Sequence, residues 1–70
     1  MPANIMCEVD GTRYTVPANG RARACEQAVR MHTGYTGRIK ITFTRYVSGG
    51  VIYLAETAAG AVLEILVIHT

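Results

Sequence analysis

The sequence predicts an α+β fold. It reads as an antiparallel sheet of about five strands with one helix packed on a face, in the order β-β-α-β-β-β. Three observations lead there. Apolar and polar residues alternate at period two on both sides of a central segment, the mark of half-buried strands. The segment between Asn19 and Gly34 instead carries its apolar residues at helical spacing. Glycine-bearing turn signals at Asp10-Gly11, Ser48-Gly49-Gly50 and Thr57-Ala58-Ala59-Gly60 cut the alternating stretches into short strands. Residues 1–70 fit a single domain, and half of them are apolar, enough to expect a packed core and not disorder.

The first two strands form a hairpin. Ile5, Cys7 and Val9 alternate with Met6, Glu8 and Asp10. Asp10-Gly11 suits a two-residue turn, whose positive φ angles glycine adopts freely. Pairing about it sets Val9 opposite Thr12, Cys7 opposite Tyr14 and Ile5 opposite Val16, all on one face, and Glu8 opposite Arg13 on the other. Pro17, which cannot donate to a ladder, is expected to end the second strand.

A helix follows, with Asn19 as its N-cap and Gly34 just past its C-terminus. Ala22, Cys25, Ala28, Val29 and His32 fall on one side and Arg23, Glu26, Gln27 and Arg30 on the other. Glu26 precedes Arg30 by four residues, the favourable order for an exposed helical pair. The small inner residues let the helix lie close on a sheet.

Gly34 to Gly37 is a loop. In the third strand Ile39, Ile41 and Phe43 face one way and Arg38, Lys40, Thr42 and Thr44 the other. The turn at Ser48-Gly49-Gly50 allows a two- or a three-residue loop. The choice decides whether Ile52 and Leu54, or Val51 and Tyr53, join the Phe43 face. The last strand, Ala61 to Ile68, carries Leu63, Ile65 and Val67 on one face and Val62, Leu66 and Ile68 on the other. One helix covers one face. Val62, Leu66 and Ile68 are therefore expected to be covered by a second copy, making a homodimer, or by another partner.

Catalytic and metal chemistry lack their spacing signals. There is no phosphate loop, no nucleophile elbow and no suggestive carboxylate pair. Cys25 and His32 share a helix side but are separated by ~10 Å of rise, too far for a thiolate–imidazole pair. Cys7, Cys25, His32 and His69 include no short ligand pair of the kind that anchors zinc. The expectation is no catalytic residue, no metal and no cofactor. Two cysteines in 70 residues do not make a disulfide scaffold, so both read as small buried thiols. The longest apolar run is far too short to span a bilayer, and no basic-then-apolar leader opens the sequence. A cytoplasmic location with no membrane contact is expected.

Charge is distributed unevenly. All seven basic residues lie between Arg13 and Arg45 with one acid, Glu26, among them, giving +6, while Glu8, Asp10, Glu56 and Glu64 lie outside and give −4, for the net +2. Local charge steers partners more than the total does. Arg23 and Arg30 on the helix and Arg38, Lys40 and Arg45 on the third strand, with Tyr35 and Tyr46 as aromatic anchors, form the expected partner-binding set. A protein or nucleoprotein complex is the expected partner, and nucleic acid itself is the alternative.

The layout resembles small phage-encoded inhibitors of bacterial defence, the anti-CRISPR proteins of type I systems. The likeness rests on length, on a helix (Asn19 to Thr33) after an early hairpin, and on basic residues on helix and strand. It implies a non-enzymatic inhibitor acting in the cytoplasm of a bacterial host, docking on the effector complex and blocking its access to target DNA. Other inhibitors of that kind imitate DNA with acidic surfaces, a pattern from which this basic chain departs.

Overall fold

Asp10 and Gly11 both take positive φ, 50° and 80°, in the computed structural model, which describes residues 3–68. The turn they make joins β1 (Ala3–Val9) to β2 (Thr12–Ala18). The register is the expected one: Val9 pairs Thr12, Cys7 pairs Tyr14 and Ile5 pairs Val16. Glu8 meets Arg13 in an ion pair of 3.3 Å. Pro17 does not end the second strand, which continues to Ala18. β2 lies at the sheet edge, where a missing N–H donor is tolerated.

The helix α1 (Arg21–Thr33) is capped one residue later than expected. Its N-cap is Gly20, in extended conformation, and no side chain caps it, so Asn19 does not hold that role. Gly34 closes the other end in the left-handed conformation, φ 75°, its N–H bonded to the Arg30 carbonyl. Thr33 Oγ1 donates to the Val29 carbonyl and accepts the Tyr35 N–H, which tightens the exit. The buried stripe is Ala24, Cys25, Ala28 and Val29. Ala22 points outward, because the helix seats Ala24 in the place the sequence pattern assigns to Ala22.

Three more strands follow: β3 (Ile39–Val47), β4 (Gly50–Thr57) and β5 (Val62–Ile68). They and the first hairpin make one antiparallel sheet in the order β2-β1-β5-β4-β3. β5 is inserted at the centre, hydrogen-bonded on both edges to β1 and β4, with Ile65 and Val67 buried on the helix side. Thr57 is the one buried polar residue of the described core. Its N–H donates to the Ala61 carbonyl, its carbonyl accepts the Gly60 N–H, and its hydroxyl accepts the Ala61 N–H.

The helix covers one face. Cys7, Val9, Val16, Ile39, Ala55, Ile65 and Val67 of the sheet close on the four buried helix residues. The opposite face of the sheet carries no helix. On it, one row runs Arg13–Glu8–Leu66–Ile52–Arg45 across all five strands.

Val47 pairs Gly50, so the β3–β4 turn has two residues, Ser48 and Gly49. That loop alone would put Leu54 beside Phe43. A bulge between Phe43 and Arg45 changes the parity, and Phe43 pairs Tyr53 while Tyr46 pairs Val51. Val51 and Tyr53 therefore join the Phe43 face.

Candidate functional site

The bulge builds an aromatic patch. Regular alternation would send Phe43 and Tyr46 to opposite faces; the extra residue brings both to the helix-bearing face. The Phe43 ring stands edge-on to Tyr46 at 5.2 Å between centroids and to Tyr53 at 6.0 Å. Such geometry is favourable for aromatic quadrupoles. Tyr53 packs against the core and anchors the group. Phe43 and Tyr46 remain 49% and 72% exposed, beyond the area the helix covers.

The same bulge moves Arg45 to the open face. There it pairs Ile52 in register and reaches Glu64 at 3.9 Å. Glu64 belongs to β5 and Arg45 to β3, so the ion pair passes over β4 between them. Ile52 lies on the strand this pair spans and is only 7% exposed, on a face with no helix. Around it lie Leu54, Val62, Leu66 and Ile68, with Val62 57% exposed.

The expected basic set is divided by the sheet. Lys40 and Arg45 project from the open face, and Arg38 and Lys40 flank a shallow cavity of about 160 Å³ with Glu56. Arg23 and Arg30 sit on the helix, on the other side of the sheet. No single basic face results, and each open-face strand base has an acid nearby. Arg13 pairs Glu8, Arg45 pairs Glu64, and Lys40 stands across from Glu56.

Two members of the set are committed internally. Arg30 donates to the carbonyls of Tyr35 (3.2 Å) and Gly37 (2.8 Å) and pairs with Glu26 at 3.5 Å. It staples the loop that follows the helix. Tyr35 is half-buried against the core, its ring lying over Gly37 where a larger residue would collide with it. Of the residues read as anchors, Tyr46 alone is a largely exposed ring.

A polar relay was not legible beforehand. The Tyr14 hydroxyl donates to His32 Nδ1 at 2.7 Å, and His32 Nε2 donates to Asp10 at 3.2 Å. One neutral tautomer, with the proton on Nε2, satisfies both contacts. The order hydroxyl–imidazole–carboxylate has the form of a nucleophile, a base and its orienting group. Two surface cavities, of about 280 and 160 Å³, include none of the three residues. The relay ties the tip of the first hairpin to the last turn of the helix.

Cys7 and Cys25 are fully buried free thiols, facing each other from sheet and helix. Hydrogen bonding with Cys7 pushes the Cys25 thiol well above its ordinary pKa, and burial adds to the rise. A thiol held protonated and out of contact with solvent is a packing group and not a nucleophile. Among the described residues no three histidine, cysteine or acidic side chains gather as a metal site; His69 lies outside them. Among those residues, too, no helix is long and apolar enough to cross a membrane.

No family model, no curated protein and no solved structure matches this chain.

Proposed function

We propose that this protein is a non-enzymatic binding module that docks on a protein surface through the Phe43–Tyr46 patch. The observation that carries the reading is a pair of exposed aromatic rings set edge-on to each other, with Phe43 also edge-on to the half-buried Tyr53. Large, pre-ordered aromatic side chains concentrate binding energy, since little rotamer freedom is lost on contact. A flat surface of this kind fits a partner's apolar pocket better than it fits a small molecule.

The setting we infer is inhibition of a bacterial defence nucleoprotein complex of the type I CRISPR kind, in the host cytoplasm. Small size and a helix following an early hairpin, in which this chain resembles some phage inhibitors, support it. Docking on a protein subunit beside the DNA path would block target access without contacting DNA. The pairing of Arg13, Lys40 and Arg45 with neighbouring acids supports a protein partner, because nucleic acid affinity needs uncompensated positive charge.

The test is binding to plain duplex and single-stranded DNA across salt, beside binding to a purified effector complex. The expected result is salt-insensitive capture of the complex and only weak, non-specific affinity for free DNA. Tight DNA binding that falls steeply with salt would replace this reading with a nucleic-acid-binding one.

A further inference from the structure

We infer that the open face of the sheet is a self-complementary interface, and that its occupant is a second copy of this chain. The face is distinct from the aromatic patch, which lies on the other side of the sheet. Its centre is apolar: Ile52 and Leu54 on β4, Leu66 and Ile68 on β5, with Val62 beyond them. Its charges are sorted by strand. β3 presents Lys40 and Arg45; β5 presents Glu64; β4 presents Glu56 at one end.

That sorting selects the partner. A two-fold axis laid along β4, between two sheets about 10 Å apart, places β3 of one copy over β5 of the other. Glu64 of one copy then stands above Thr42 of the other, between Arg45 and Lys40 one open-face row to either side. Ile52 and Leu54 meet their own counterparts on the axis. Glu56 of each copy meets its own counterpart at one end of the axis, and the two carboxylates are flanked by the Lys40 of both copies. Basic strand meets acidic strand twice, and apolar strand meets itself, with no change of chain needed.

The Arg45–Glu64 strap is the element that changes. Within one chain it spans β4 at 3.9 Å, with both side chains 56% exposed, so it is loosely held. In the two-fold pair, Arg45 lets go of its own Glu64 and takes the other copy's. Ile52 and Leu54, the latter 36% exposed in a single chain, come into contact across the axis.

The experiment is a charge-swap series followed by analytical ultracentrifugation, with circular dichroism to confirm the fold. Wild type is expected to sediment as a dimer at about 100 μM, a concentration that reveals even weak self-association. Arg45→Glu and Glu64→Arg are each expected to be folded monomers, since each homodimer would set like charges together. An equimolar mixture of the two is expected to regain the dimer mass, because each copy then supplies what the other lacks. Leu54→Glu, which sets two carboxylates against each other on the axis, should also be monomeric. A monomeric wild type overturns the proposal. So does undiminished dimerisation of the single variants, or a mixture that stays monomeric beside a dimeric wild type. Failure here leaves the aromatic patch untouched, since capture of a partner by that patch is read separately.

Discussion

His32, in the last turn of the helix, is held at both ring nitrogens by residues of the first hairpin, Tyr14 and Asp10. Tyr14 was placed on the correct face by the hairpin register, and Asp10 in the correct turn, but nothing in the sequence sets the helix end above that hairpin. The contact is tertiary, and periodicity carries no tertiary information. The relay makes a specific demand. Tyr14→Phe removes one hydroxyl, leaves a histidine nitrogen short of a partner, and should destabilise the fold by about 1 kcal/mol. Urea denaturation monitored by circular dichroism would measure it, and an unchanged midpoint would show that the relay contributes nothing to the fold. Ala22 and Ala24 teach a related lesson. Both are alanine, so the pattern of small residues is compatible with either facing inward, and the helix rotation was settled by packing of Cys25, Ala28 and Val29.

Among the elements, the order of strands and helix was legible because each boundary carries its own chemistry. Asp10-Gly11 and Gly34 hold backbone conformations that few other residues adopt. The bulge in β3 was not legible, and it decides more than any other local feature. Thr44, the extra residue, has no signature that separates it from an ordinary strand position. Through it Phe43 and Tyr46 come to share a face and Arg45 leaves that face for the strap with Glu64. Alternation without a bulge would place Arg45 beside Phe43; the bulge instead sets it on the open face with Lys40, its companion in the expected basic set. Gly50 is a second case. It reads as part of a turn, yet it begins β4 at a point where a side chain would collide with the Val67 carbonyl of β5. Gly50→Ala should cost about 3 kcal/mol, because backbone atoms cannot yield as side-chain ends do. A variant with wild-type melting temperature would mean that β4 and β5 separate more easily than the pairing of Val51 with Val67 implies.

At the scale of the whole molecule, one helix and five strands leave two surfaces of different character on opposite sides of the sheet. The uncovered face was legible from Val62, Leu66 and Ile68, since a strand apolar on both sides needs cover on both. The placement of β5 at the centre of the sheet explains why that cover falls on the middle of the face. The aromatic side was legible only as Tyr46, without Phe43 and Tyr53. Because the two surfaces are separated by the sheet, partner capture is expected to be independent of self-association, and substitutions can address the two faces separately. The most direct test of the docking role compares two double variants of the tagged protein for capture of the effector complex. One is Phe43→Ala with Tyr46→Ala; the other is Arg38→Glu with Lys40→Glu, on the open side. Both should keep the wild-type circular dichroism spectrum, as all four residues are exposed. The aromatic variant should lose capture at least tenfold, matching the loss of about 1.4 kcal/mol or more that hot-spot truncation brings. The charge-reversed variant should capture as wild type does. Loss of capture by the charge-reversed variant, with the aromatic variant still binding, would contradict docking through the patch and return the partner site to the basic strand.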